Sequence, residues 1–283
     1  MRKILGQKFG YIFVLPWIIG FAIFTAFPIF NSLSLSLNRT LIGPERIERE
    51  FIGIGNFREA ISTDIAFIRE VGGFSIISVI SIPIIVILAL VISLLLNYPI
   101  KARGVFRTIF FLPVIIASGP VIDKLMDMGV TTIPALSNYA FYWFLVNSDN
   151  IFASAALLVL DSFIIFLWLS GVQILVFLAG LQKIDKQTVE AARVDGASAW
   201  EIFWKITLPS LSSLILVNIV YTTVMFAQTT LNPVIEHITG NMFSVTTGFG
   251  YASALAWLYF VVITLIMLAL VGVFYLFSRD SFS

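Results

Sequence analysis

The stretch Gly73–Leu96 reads GFSIISVISIPIIVILALVISLLL and holds no charged residue. A helix needs about 20 mostly apolar residues to cross the hydrocarbon of a bilayer. Five further runs share this character, near Tyr11–Leu37, Val105–Ile122, Ala153–Leu181, Leu211–Leu231 and Ala254–Phe277. Working outward from them, the sequence predicts an all-α polytopic membrane protein with about six transmembrane helices. The run Ile133–Val146, IPALSNYAFYWFLV, is short for a span. Its Tyr142 and Trp143 suit the headgroup region, so it reads as an interfacial or re-entrant piece.

Composition agrees with a lipid solvent. Of 283 residues, 59% are hydrophobic and 12% charged, and mean hydropathy is +1.00. Soluble domains carry about 25% charged residues. The net charge of +1 gives no case for nucleic-acid binding. The chain has no cysteine, so it has no disulfide, thiolate metal site or cysteine nucleophile. Its one histidine, His237, leaves little for a metal site or a histidine-based triad. No internal repeat, low-complexity segment or flexible linker stands out, and residues 1–283 read as a single membrane domain.

Loop charge sets the expected orientation. Short loops rich in Lys and Arg stay in the cytoplasm. The N-terminus carries Arg2, Lys3 and Lys8, the second-to-third connection Lys101, Arg103 and Arg107, and the C-terminus Arg279. The segment Arg39–Arg69 argues the other way with five arginines, but it is long and nearly balanced by acids. Both termini are therefore expected inside. The basic N-terminus resembles a signal peptide, yet the apolar run after it is long and lacks a small-residue cleavage pattern, so it reads as an uncleaved first span.

Between the fourth and fifth spans lies Glu190–Pro209, EAARVDGASAWEIFWKITLP, which with its lead-in from Lys183 carries four charges of each sign. Asp185 is placed to cap a helix, and Gly196 to end it in a left-handed turn. Ser198 and Glu201 have the spacing of a capping box. A second helix then carries Trp200, Phe203 and Trp204 on one face, and Pro209 is expected to break it at the entry to the fifth span. On these grounds alone the segment is either a handle for another protein or an interfacial tether.

The stretch resembles the EAA loop of binding-protein-dependent ABC importer permeases, patterned E-A-A-x3-G-x9-I-x-L-P. Glu190, Ala191, Ala192, Gly196, Ile206, Leu208 and Pro209 match in register. FIGIGNF (51–57), LLLNYPIKARGVFRTIFFLP (94–113), FLAGLQKI (177–184) and GYASAL (250–255) are similar to stretches of the sugar-type branch, the maltose and glycerol-phosphate permeases. The chain departs from that branch at Asp185, where proline is usual, and in MGVTTIPALSNYAFYW (128–143). The resemblance implies a bacterial or archaeal inner-membrane permease. It would pair with a second permease, expected to be a different chain, and with two ATP-binding subunits, and would receive a sugar or oligosaccharide from an external solute-binding protein. ATP and Mg would sit on the ATPase partners, and this chain would bind no cofactor; it has no G-x-x-x-x-G-K-[ST] loop. Glu190, Ala191, Ala192, Arg193, Gly196, Leu208 and Pro209 would form the ATPase-coupling joint. Of the three aromatic residues, at least one is expected to pack against the chain's own spans.

Polar groups within the spans offer a second site. Asn218, Tyr221, Thr222, Met225, Gln228, Thr229 and Asn232 recur at three- and four-residue steps and are expected on one face of the fifth span, with Ile219 and Val220 opposite. The stripe is either a solute path or hydrogen-bonding glue between helices. Asp161 in the fourth span is either a path or proton-coupling residue or a paired group near the span's outer end. Pro83 and Pro113 are expected to kink their spans, and His237 to sit solvated in an outside loop. A proton-coupled secondary transporter built on Asp161 is the rival reading; such a protein has no use for an EAA loop. A membrane enzyme would need a His, Asp and Ser constellation that the chain does not offer.

Overall fold

The computed structural model describes residues 13–42, 47–98, 138–148, 150–229 and 232–282, with isolated positions 104, 108, 124 and 128. The expected third span and Pro113 lie outside the described residues. In chain order the elements are α1 (Phe13–Ser36), β1 (Asn38–Ile42), β2 (Ile47–Phe51), α2 (Gly55–Ser62), α3 (Ile65–Asn97) and α4 (Ala140–Val146). They continue with α5 (Ile151–Asp161), α6 (Phe163–Leu169), α7 (Gly171–Leu181) and α8 (Lys186–Val194). The last are α9 (Ala199–Ser210), α10 (Ser212–Ala227), α11 (Pro233–Met242) and α12 (Gly248–Phe282). Among the described residues, α1, α3 and α12 are long and apolar enough to cross a membrane. The bent pairs α5 with α6 and α9 with α10 bring the number to five if each is one span.

The chain divides into two compact units, one of residues 1–72 with 233–261 and the other of residues 73–232 with 262–283. In the first, α1 widens into a π turn over Ala22–Ala26, just before Pro28. Proline has no N–H to donate, and the wide turn lets a fresh α-helical turn start at Phe27, where an early position needs none. After α1 the chain folds into an antiparallel hairpin, with Asn38 opposite Phe51 and Ile42 opposite Ile47. Among the described residues this is the one strand pair, in a segment read as a charge-balanced loop. Asn56 fastens α2 to it by donating from Nδ2 to the carbonyls of Ser36 (2.9 Å) and Asn38 (3.0 Å). The Gly250 N–H donates to the Thr40 hydroxyl. A Cβ at Gly250 would strike the Asn38 carbonyl, so only glycine fits this approach. The FIGIGNF and GYASAL stretches are thus two sides of one joint.

In the second unit the core gathers Val86, Ala89 and Ile92 of α3, Ile174 and Phe177 of α7, Leu208 of α9, and Ile215 and Ile219 of α10. Phe74 stacks on Phe226 with centroids 5.4 Å apart. Gly180 lets α7 lie close on α10; a Cβ there would strike the side chains of Leu214 and Leu211. Helix α3 continues through Pro83.

The fourth span departs from expectation. In place of one helix over Ala153–Leu181 there are three, with a 63° bend between α5 and α6 at Ser162 and a second break at Ser170. Ser170 turns its hydroxyl back to the Leu167 carbonyl at 2.8 Å, and a glycine follows. Such side-chain bonds compete with the helix's own ladder.

Candidate coupling loop and polar core

Local chemistry builds the loop between α7 and α10. Asp185 caps α8, its Oδ1 accepting from the Gln187 N–H at 2.9 Å. The helix closes with both bonds of a Schellman motif. The Ala197 N–H reaches the Ala192 carbonyl (2.9 Å) and the Gly196 N–H reaches the Arg193 carbonyl (3.1 Å). Gly196 has φ +84°, the left-handed conformation that favours glycine. Ser198 then starts α9 with a complete capping box. Its Oγ accepts from the Glu201 N–H, and its own N–H donates to Glu201 Oε2 at 2.9 Å. Those bonds, with Lys205 Nζ 3.8 Å away, favour the ionised Glu201 carboxylate.

Pro209 does not break α9, contrary to the sequence reading. A π turn over Phe203–Thr207 precedes it, and Pro209 falls in the first turn of the α-helical segment that follows. No N–H is required there, as at Pro28. The break comes at Leu211, fully buried, with a 64° bend between α9 and α10.

The expected coupling residues divide by exposure. Glu190, Ala191, Arg193 and Gly196 are exposed, Ala192 and Pro209 half-buried, and Leu208 buried in the core. Phe203 packs against that core, as expected for at least one of the three aromatics. Trp200 is 69% exposed and Val194 87% exposed. Trp204 meets both Trp200 and Phe203 edge-on, at 5.5 and 5.3 Å. Beside the joint an open cleft of about 280 Å³ is lined by Gly180, Lys183, Asp185, Thr188, Ile206 and Ser210, among others.

Within α10 the stripe positions Asn218, Tyr221, Thr222 and Met225 share one arc of about 100°, but that arc is not uniformly buried. Asn218 and Thr222 are fully buried, with Ile219 beside them on the packed side of α10. Tyr221 and Gln228 are exposed, as is Val220, and Met225 is half-buried. Gln173 of α7, not singled out from sequence, donates from Nε2 to Thr222 Oγ1 at 2.9 Å. Its signal was a lone amide in the apolar run of α7. Gln173 Oε1 and both polar side-chain atoms of Asn218 are buried without a hydrogen-bond partner. A buried polar atom left so is costly.

Asp161 is exposed at the end of α5 and accepts from the Tyr142 hydroxyl of α4 at 3.2 Å. Of its two readings, the paired one describes its surroundings.

His237 corrects the sequence reading outright. It is not a solvated loop residue but lies within α11, its side chain 16% exposed. Its Nε2 donates to Asp64 Oδ2 at 2.9 Å, and its Nδ1 lies 3.2 Å from Glu70 Oε2. Tyr251 Oη donates to the same Asp64 oxygen at 2.8 Å, and the Phe67 N–H to Asp64 Oδ1 at 2.9 Å. Burial pushes the Asp64 carboxyl up, but the Phe67, His237 and Tyr251 bonds outweigh it and hold it below the usual carboxylate value.

Residues 66–280 match the family described as binding-protein-dependent transport system inner membrane component. The chain is 30% identical to the probable ABC transporter permease protein YesP of Bacillus subtilis, over 92% of this chain and 88% of that one. It is 28% identical to the multiple sugar-binding transport system permease protein MsmF of Streptococcus mutans, over 94% and 95%. In fold it is similar to a chain of a bacterial alginate ABC transporter crystallised with an alginate pentasaccharide-bound periplasmic protein. There the TM-score is 0.65 at 21% identity, covering 94% of each chain.

Proposed function

The chain belongs to the binding-protein-dependent transport system inner membrane components, the permease subunits of ABC importers, and from that premise we propose that it imports a sugar or oligosaccharide. The solute arrives from an external solute-binding protein. This chain forms half of the pore beside a second permease, and two ATPase subunits, which carry ATP and Mg, drive it. The chain is a permease subunit and not an enzyme. The named relatives that carry sugars support the solute class.

The single observation that carries the mechanism is the construction of the α8–Gly196–α9 joint. Its outer side presents Glu190, Arg193, Val194 and Trp200, while its inner side seats Phe203 and Leu208 in the core shared with α3, α7 and α10. An ATPase that grips the outer side moves a part already wedged between the spans. Closing of the ATPases then pushes α9, and the packed helices follow as a body. The cleft beside Lys183, Asp185 and Ser210 suits a polar side chain of the ATPase. Both termini lie in the cytoplasm in this reading.

We place the solute path beside the buried amides. Asn218 and Gln173 hold three side-chain atoms without partners, and Thr222 a hydroxyl. Such groups match sugar hydroxyls, and Tyr221 and Gln228 extend the polar surface on the exposed side of α10.

The test uses the absence of native cysteine. A cysteine at Ser198 is expected to be shielded from an impermeant thiol reagent in sealed cells and to cross-link to the ATPase, while one at Asn241 reacts from outside. Labelling of position 198 from outside, or uptake that survives loss of the ATPase, overturns the reading.

A further inference from the structure

The chain's one histidine sits between two carboxylates, and its contacts are unequal. Asp64 receives three donors: the Phe67 N–H, the Tyr251 hydroxyl and the His237 ring. Glu70 Oε2 is buried and has no hydrogen bond; it lies 3.2 Å from Nδ1. Asp64 does three jobs at once. Its Oδ1 caps the start of α3, and its Oδ2 gathers α11 through His237 and α12 through Tyr251. A carboxylate that fastens three elements at one point fixes their relative pose better than separate bonds, because each bond restrains the same side chain. Phe67 adds a tilted ring contact with His237 at 5.9 Å.

Helix α11 directly follows the fifth span in the chain. Because that span leaves the coupling loop, α11 emerges on the face away from the ATPases; this step rests on the proposed function. We propose that His237 is a positioning residue for the hand-over of solute. It clasps α11 to the start of α3 through Asp64, and so holds the outward segment in the pose that the loaded binding protein meets. The exposed residues Glu236, Thr239 and Gly240 of α11 are presented by that clasp. Without it, α11 keeps its own helix but loses its orientation, so a binding protein docks on a mixture of poses.

The test is made on the assembled transporter with both permeases and ATPases, in lipid nanodiscs. ATPase stimulation is titrated with solute-loaded binding protein. For His237→Leu the half-saturating concentration is expected to rise about tenfold while the maximal rate stays within about twofold, the size expected for losing a hydrogen bond to a charged group. His237→Gln keeps an N–H donor toward Asp64 and is expected to recover most of the loss. A maximal rate that falls with the amount of assembled complex, at unchanged half-saturation, overturns the proposal and makes His237 packing alone. Backbone hydrogen exchange over residues 233–242 supplies a reading independent of the partner. Faster exchange in both His237→Leu and Asp64→Asn supports the clasp, and protection equal to that of the unmodified chain overturns it. If binding protein fails to stimulate the unmodified transporter, the proposed function falls, and exchange alone decides the clasp.

Discussion

The loop around Gly196 and the knot around Asp64 are both polar and both precise, but they are made in opposite ways. Every bond that shapes the loop reaches five residues or fewer along the chain, from Asp185 to Gln187, Ala197 to Ala192 and Ser198 to Glu201. The knot joins residues 173 and 187 apart, and its neighbour at Thr40 and Gly250 spans 210. A part made of local bonds can stand exposed and keep its shape, because it needs nothing else to fold. A part made of distant bonds exists only when the whole unit is assembled. Substitutions in the loop should therefore alter work without altering stability, and substitutions in the knot should act through the pose and stability of the whole unit.

Gly196→Val presses this contrast hardest. A Cβ there meets no neighbour, so packing is undisturbed, but φ +84° is closed to a branched residue. Uptake is expected to fall at least about tenfold, through strain of about 1–2 kcal/mol in the joint, with the melting temperature nearly unchanged. A melting temperature that drops with uptake would show that the loop is not autonomous.

Gly250→Ala tests the other side. Its Cβ would enter the space of a backbone carbonyl, which cannot swing away as a side chain can. Overpacking of this kind costs about 1–3 kcal/mol. A lower melting temperature in detergent is expected, with residual uptake tracking the folded fraction.

Thr222→Val is expected to have an intermediate effect. It is close in shape but leaves Gln173 Nε2 without its acceptor. A loss of about 1–3 kcal/mol is expected. Uptake compared for two related sugars sharpens the outcome. A change in preference marks a solute path, and equal scaling marks a structural bond only.

The smallest effect is expected for Ser198→Ala, which removes one half of the capping box. The cost is about 1 kcal/mol, confined to the first turn of α9. A fall of a few-fold in ATP-coupled uptake, with no shift in melting, agrees with a locally made joint.

The same division explains what could be read from the amino acids. Gly73–Leu96 announced its span by lacking charge, and the loop announced its caps by spacing, since both signals lie within a few turns. The breaks at Ser162 and Ser170 were hidden, because serine tolerates a span until its hydroxyl turns on the backbone. The stripe on α10 shares an arc as read, but which part of it is buried was hidden for a different reason. Helical periodicity shows which residues share an arc, but in lipid an apolar side chain faces outward as readily as inward. Nothing local could therefore tell that Ile219 joins Asn218 in the packed interior while Val220 stays exposed. His237 was misread because its partners lie more than 160 residues away. The π turns before Pro28 and Pro209 were likewise unseen; Pro209 was taken as a stop, where a widened turn ahead of it gives the helix a second start.

The bend at Leu211 has a mechanical meaning. Helix α9 is about 18 Å long at 1.5 Å per residue, and it meets α10 at 64° over a pivot that is fully buried. It has the form of a crank on a bearing. By that length, a turn of about 10° at the pivot sweeps the far tip, near Ser198, through roughly 3 Å. In the proposed function the tip would travel far while the shaft travels little, and a modest push from the ATPase side would arrive at the packed spans multiplied in strength and reduced in stroke.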